Sequence, residues 1–431
     1  MGFFSSVFGS AAASVPKPSF SSSGGVVCPF CFEEFGRDAI EYRCTNKQCP
    51  AGPAGSAEPD EKYSNFRGWP RPRPVGHVFK PAKQGAFGGG RVCCDVCHSN
   101  TPVPICPSCH SPLPQSSIDG NNEIIAVVGT RGSGKSHYIT VLIDQLTRRV
   151  GHVMDAGVNP FLTMDGLYNC RDLYQQTKYG PLFEERHTLE ATSRDLGGGD
   201  RKDKMPLIYT WNYTEAERGR KKAFTLSFFD AAGEDLEDPQ AVATVNRYLQ
   251  HARGIIFLVD PLQIAGIREQ LEAAGETDLT SSLRGVQGTT GFEGVLSAIT
   301  TLIRTARGIR EGDAIDVPVA IAFSKFDQVI PICGAAVTVQ QPSPHAKHGA
   351  FVEADQQAVD AELRALLENW DEGAIVTDVQ SNFRDVAFFG VSALGLHNAP
   401  DESGAVKRPR PLRVEDPLLW IMAKNHLIAK E

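Results

Sequence analysis

The sequence predicts an α/β protein: a mainly parallel six-stranded sheet flanked by helices and preceded by a small Cys-rich module. Three observations carry this. From residue 122 onward short β-branched runs alternate with helical stretches, a Gly-rich loop joins the first of those runs to a helix, and nine of the eleven Cys lie before residue 110. At 431 residues the chain is long enough for two or three domains. Its hydrophobic content of 41% and charged content of 22% fit a globular protein and exclude a coiled coil or a disordered chain. The longest clean apolar run, Leu418–Ala423, is six residues, far short of the ~18 that a membrane span requires.

Residues 1–25 read as a disordered Ser/Gly/Ala-rich tail, without the charged start and apolar stretch of a secretion signal. Gly2 and Ser6 formally match a myristoylation motif, although bulky Phe3 follows Gly2. Residues 26–118 form the Cys-rich module. Cys28-Pro-Phe-Cys31 is followed by Cys44 and Cys49, and Cys94-Asp-Val-Cys97 by Cys106-Pro-Ser-Cys109. Two Cys separated by two residues let one tight turn aim both sulfurs at one ion, and tetrahedral Zn2+ takes four such ligands. The eight thiols therefore predict two zinc sites. Either each set of four closes its own ribbon, or the pairs interleave across residues 50–93. A closed all-thiolate site has no open position for chemistry, so the zinc is expected to be structural, replacing a core that so Pro- and Gly-rich a stretch cannot build. Cys93, His98 and His110 are alternative ligands of lower rank, while Cys170 and Cys333 stand alone as ordinary thiols. Paired Cys of this kind suit a reducing, cytoplasmic compartment better than a disulfide framework.

Charge divides the chain. Residues 1–118 carry a net +3 and the remainder a net −11. Within the first part Lys62, Arg67, Arg71, Arg73, Lys80 and Lys83 face only Glu61, and Phe66 and Trp69 lie among them. Phosphate neutralisation with base stacking would make this a nucleic-acid strip. An extended Pro-flanked peptide packed on the acidic remainder is favoured instead, because the basic segment is short.

Residues 119–431 carry the sheet. Asn122–Val128 predicts a strand, followed by the loop Gly129-Thr130-Arg131-Gly132-Ser133-Gly134-Lys135-Ser136-His137 and a helix through Arg149. This GxxxxGKS loop between strand and helix is highly specific. Its backbone N–H groups wrap phosphate oxygens at a helix N-terminus, Lys135 reaches the β- and γ-phosphates, and the Ser136 hydroxyl ligates Mg2+. Further strands are expected at Pro206–Tyr213, Ala223–Phe229, Gly254–Val259, Val317–Phe323 and Val386–Val391. Helices are expected at Pro239–His251, Phe292–Arg307 and Ala354–Trp370, and from Leu418 to Ala429 behind an Asp416-Pro417 cap. One strand pair is antiparallel.

Three more signals fall at strand ends, where such sheets bind ligands. Asp230-Ala-Ala-Gly233 follows Phe229, Ser324-Lys325-Phe326-Asp327 follows Phe323, and Ser392-Ala393-Leu394 follows Val391. A carboxylate at Asp327 can accept two hydrogen bonds from guanine N1–H and N2–H2, a pair that adenine does not offer. In this order the motifs resemble those of the Ras-like, translation-factor-related (TRAFAC) P-loop GTPases, over about residues 122–431 with large insertions. The preceding zinc module is similar to that of predicted double-GTPase proteins of bacterial conflict or GTPase-associated systems, which work beside a second GTPase.

The resemblance implies GTP/GDP and Mg2+ as ligands. Lys135 and Ser136 would bind phosphate and Mg2+, Asp230 would hold Mg2+, and Gly233 would sense the γ-phosphate. Asp327 would select guanine, Lys325 would lie along the base, and Ala393, between Ser392 and Leu394, would donate its N–H to O6. The departures matter too. Ser324 replaces the usual Asn or Thr, and Glu234 stands where many members place a water-positioning Gln. A carboxylate beside the γ-phosphate is repelled by it, so slow intrinsic hydrolysis awaiting an activating partner is expected. Arg131, where small GTPases usually keep a small residue, either reaches phosphate in cis or points to solvent. The switch threonine is not singled out, with Thr188 and Thr192 as candidates, and inserts 262–290, 328–353 and 396–414 are expected to contact partners. The leading expectation is a GTP-hydrolysing switch whose zinc ribbons recruit a protein, such as a second GTPase or an activator. Two alternatives are an ATPase using Asp260 as its metal acid and a scaffold that binds nucleotide without hydrolysing it.

Overall fold

The structure is a computed structural model describing residues 25–52, 58–81, 92–100, 102–130, 132–189, 205–214, 221–229, 247–276, 292–334, 338–396, 398–401 and 403–431. The Cys-rich end contributes five short strands: β1 (Gly25–Val27), β2 (Glu34–Gly36), β3 (Glu41–Cys44), β4 (Val78–Phe79) and β5 (Pro102–Ile105). The remainder contributes β6 (Asn122–Gly129), β7 (Ala156–Pro160), β8 (Leu207–Thr214), β9 (Lys221–Phe228), β10 (Ala252–Val259), β11 (Val319–Phe323) and β12 (Val386–Gly390). These last seven form one sheet in the order β12-β11-β10-β6-β9-β8-β7.

Four neighbouring pairs in that sheet are parallel, from β12 across to β9, and β8 runs antiparallel to both β9 and β7. The expected six strands are thus seven. The unforeseen one, β7, reads Ala-Gly-Val-Asn-Pro, and its Gly and Pro argue against a strand unless it lies at an edge, where it does lie. Strand β6 is central, with the chain leaving it toward β7 and leaving its neighbour β10 toward β11. The crevice between their carboxyl ends is therefore a switch point of the kind where α/β sheets bind ligands.

Side chains alternate between two cores, as strand geometry requires. Ile125 and Val127 of β6 pack on one face with Ile139, Leu142, Trp211 and Leu418, whereas Ile124 and Ala126 pack on the other with Ile255, Phe257, Ile299, Leu363 and Val379. The helix from Lys135 runs to Gln145 and continues, more loosely wound, to Val153. Helices Phe292–Arg307 and Glu353–Asn369 lie close to the expected bounds, and Ala265–Ala273 and Ala374–Asn382 are additional. The C-terminal helix is Asp416–Lys424, with Glu415 in the N-cap position and Asn425 at its end, short of Ala429; the Asp416 carboxylate, expected to cap it, accepts from Arg413 at 2.7 Å instead. Edge strand β12 is covered: Asp360, from helix Glu353–Asn369, accepts the Phe388 N–H at 2.7 Å.

The Cys-rich end does not stand apart. Asn122, at the start of β6, donates to the Val27 carbonyl, and Ser116 meets Thr225 of β9 at 2.6 Å. Phe30 packs edge-on against Tyr168 at 4.9 Å, in one core, while Phe32 meets Tyr248 at 5.0 Å in the other. One cysteine turn therefore straddles the amino end of the sheet. Eight residues of β6, about 25 Å of strand, separate it from the Gly-rich loop.

Candidate functional site

The Gly-rich loop leaves β6 where the backbone of β10 comes closest. A Cβ on Gly129 would sit 2.5 Å from the Leu258 carbonyl oxygen, so only glycine fits. Gly134 caps the helix with φ +79, in the left-handed region, and Gly132 has φ +77. The chain thereby turns tightly just before the helix N-terminus at Lys135. The hydroxyls of Thr130 and Ser133 are buried with no hydrogen-bond partner among the described residues, so the loop holds polar groups that lack a complement. Lys135 and Ser136 are partly exposed at this helix start. His137 instead accepts the Leu189 N–H through Nε2 at 3.1 Å, which occupies the ring with the chain. Thr188 donates its N–H to the Gly404 carbonyl at 2.9 Å. Arg131, Thr192, Asp230, Gly233 and Glu234 lie outside the described residues.

The two other strand-end motifs are brought together. Ser324, after β11, is anchored to the Val259 carbonyl through its N–H at 2.9 Å and its hydroxyl at 3.2 Å. Asp327 accepts the Ser392 hydroxyl at 2.5 Å, and Ser392 in turn accepts the Gly395 N–H at 2.9 Å. Ala393 and Leu394 follow, half-buried, beside that bond. Lys325 has φ +50, uncommon for a residue with a side chain, and its ammonium contacts Asp260 at 2.7 Å. Asp260 is 1% exposed, and its other oxygen accepts the Leu262 N–H at 3.1 Å. In the sequence Asp260 reads only as a metal acid. Its pairing across to β11 depends on strand order, which no local pattern reveals.

The eight predicted thiols gather into two groups of four, in neither expected pairing. Cys28 and Cys31 join Cys106 and Cys109, while Cys44 and Cys49 join Cys94 and Cys97, so one site is nested inside the other along the chain. The reason is the strand pairing: β3 runs antiparallel to β5, so Cys44 ends opposite Pro102 while the outer turns meet at the other end. Sulfur–sulfur approaches are 3.8 Å for Cys28–Cys109 and Cys31–Cys106, 3.7 Å for Cys44–Cys97 and 3.9 Å for Cys49–Cys94. Four Zn–S bonds of about 2.3 Å in a tetrahedron have edges of about 3.8 Å, so both cages could hold zinc. Each Cys-x-x-Cys turn closes the same way. The residue after its second Cys, Phe32, His98 or His110, takes φ of +59, +55 or +54 and donates its N–H to the first Cys carbonyl. Burial pushes the Cys28 and Cys109 thiols well up, so a cation would be needed to hold these two as thiolates.

His110 is not a ligand. Its ring bridges Asp60 at 2.7 Å and Glu41 at 2.9 Å. Beside it Arg43, fully buried, binds Asp60 and Asp165, each at 3.2 Å, and the His110 carbonyl at 2.8 Å. The basic segment partly follows. Arg67 is buried, donates to Tyr63 at 3.2 Å and to the Leu167 carbonyl at 3.3 Å, and stacks over Trp69 at 5.5 Å, with Arg73 over the same ring at 4.8 Å. Arg71 and Arg73 remain exposed. Arg67 thus reaches the sheet-bearing part at the Leu167 carbonyl, from the end of helix Glu61–Arg67 rather than from the extended peptide expected.

No described helix is long and apolar enough to cross a membrane. No protein-family model matches the chain. Over 341 aligned residues it is 27% identical to SaeC of Mycolicibacterium smegmatis, whose name assigns it, provisionally, to ESX-1 scaffolding and assembly; the match covers 74% of this chain and 79% of that one.

Proposed function

We propose that this protein is a guanine-nucleotide-binding switch of the Ras-like P-loop type, stabilised by two structural zinc ions and working on protein partners. The observation that carries the reading is convergence. Three motifs far apart in sequence, Gly129–His137, Ser324–Asp327 and Ser392–Leu394, sit at the carboxyl ends of strands in one sheet, and the last two are tied by the Ser392–Asp327 bond. The orphan hydroxyls of Thr130 and Ser133 fit a loop built for phosphate oxygens. In this reading Lys135 neutralises phosphate, Ser136 and Asp230 hold Mg2+, and Asp327 accepts from guanine. Gly233, Glu234 and Arg131 complete the γ-phosphate side, and hydrolysis is slow without an activator.

The test is competition of unlabelled GTP, GDP and ATP against a fluorescent guanine nucleotide on zinc-replete protein with Mg2+, repeated with Asp327→Ala. A strong guanine preference that the substitution abolishes supports the proposal. Equal or better competition by ATP sinks it. The pairing of Asp260 with Lys325 counts against the ATPase alternative, in which that carboxylate would serve the metal. The scaffold reading has one point in its favour, the name of the SaeC relative. Multiple-turnover phosphate release by the purified protein separates a switch from a scaffold, since a non-hydrolysing scaffold releases none.

A further inference from the structure

Asp260 stands at the end of β10, between the Gly-rich loop of β6 and the Ser324–Asp327 segment of β11. A carboxylate there could serve either neighbour, and its hydrogen bonds decide which. One oxygen caps the turn Pro261–Gln263 through the Leu262 N–H, and the other takes the Lys325 ammonium at 2.7 Å. The carboxylate is 1% exposed while the lysine side chain is 35% exposed, so the fixed partner is Asp260 and the positioned one is Lys325. Lys325 also carries the left-handed backbone of φ +50, which turns its side chain back toward β10. An ammonium anchored at Asp260 fixes both ends of the aliphatic stem, whose methylenes are then available as an apolar edge.

We propose that Asp260 is the positioning residue of the base site: it fixes Lys325 so that the lysine stem forms one wall against the guanine ring. This rests on the guanine-nucleotide reading above. It gives Asp260 a role on the base rather than on the metal. The carboxylate acts through the lysine and touches no nucleotide atom itself.

The test uses the full zinc-replete chain titrated with a fluorescent GDP, once in EDTA and once with Mg2+. Asp260→Asn keeps the side-chain oxygen that caps Leu262 and removes the charge that holds Lys325. It should weaken GDP about tenfold, the loss expected for one charge-assisted bond, and equally in both conditions. Lys325→Met, which keeps a stem and loses the ammonium, should cost the same. The double variant should be no weaker than either single one, because both remove one interaction. Penalties that add, or a penalty confined to Mg2+, overturn the inference, the second by showing that Asp260 serves the metal. Should Asp260→Asn fail to fold, Lys325→Met decides alone, and unchanged GDP binding by it overturns the proposal. If the wild-type chain binds no GDP at all, the guanine reading itself falls. That outcome is distinct from wild-type binding with unaffected variants, which removes only the role of Asp260.

Discussion

The two cysteine cages each gather four thiols, one from two Cys-x-x-Cys turns and the other from one such turn with the wider-spaced Cys44 and Cys49, and they occupy different surroundings. Cys28, Cys31, Cys106 and Cys109 are all buried and belong to the same apolar cluster as Ile125, Val127 and Trp211 of the sheet. Among the described residues Cys44, Cys49 and Cys94 cluster with Phe79, Tyr42, Ala51 and Val92, of which Tyr42 alone also packs against the sheet core, and Cys97 is partly exposed. The Ser99 N–H and neighbouring donors hold the Cys97 thiol at about 6, whereas burial pushes Cys44 up to about 12. Four ligands alone therefore do not set what a metal site supports. The sheet-facing cage closes the base of the central strand, and the outlying cage closes only its own loop.

The comparison breaks most sharply at Cys106. Cys106→Ser removes a ligand whose cage is continuous with the core beneath β6, and structural zinc in small modules supplies on the order of 10 kcal/mol of apparent folding energy. We expect loss of the cooperative thermal transition, read by calorimetry, and, on the proposed nucleotide-binding reading, loss of fluorescent-nucleotide binding with it. A variant that keeps a wild-type transition would show that the cage is peripheral.

Arg43 comes next, because it lies between the cages. It precedes Cys44 of one, binds the carbonyl beside Cys109 of the other, and reaches Asp165 of the sheet-bearing part. Arg43→Met fills similar volume but removes the buried cation shared by Asp60 and Asp165, leaving Asp60 to His110 and the Tyr63 N–H and Asp165 to the Leu167 N–H, which costs about 3 kcal/mol. Denaturant unfolding should show that loss with both zinc ions retained. A neutral result would mean that the two cages are not joined through this residue.

Cys97→Ser should act more locally. Native mass spectrometry should find one zinc per chain instead of two, while the main unfolding transition moves by less than about 2 kcal/mol, since local units open without the whole. Nucleotide affinity should stay within about twofold. Loss of both ions would erase the distinction drawn between the cages.

These contrasts also mark where sequence reading stops. The eight thiols, the Gly-rich loop and the strand-end motifs are local patterns, and spacing alone exposes them. The nesting of the cages is not local, because it follows from β3 meeting β5 across an insert whose length says nothing of direction. Strand β7 is hidden for another reason, its Gly and Pro suiting only an edge that no local pattern announces. His110 looks like a ligand by position, and only the convergence of Asp60 and Glu41 from other segments gives its ring a different task.

The smallest effect tests the joint between the Cys-rich end and the sheet-bearing part. Arg67 reads as one charge in a basic strip, yet its guanidinium lies over the edge-packed Tyr63 and Trp69 rings, at 5.9 and 5.5 Å, and reaches the Leu167 carbonyl. Lysine keeps the charge but loses the planar fork that stacks and bonds at once. Arg67→Lys should therefore cost about 1 kcal/mol, or one to two degrees in Tm for a chain of this size. Arg71→Lys, at an exposed position of the same strip, should cost nothing measurable. Equal Tm values for the two variants would return Arg67 to the surface strip and leave Arg43 as the link between the outlying cage and the sheet. A drop confined to Arg67→Lys would extend that link along the helix Glu61–Arg67, making it a second strut between the Cys-rich end and residues 165–167.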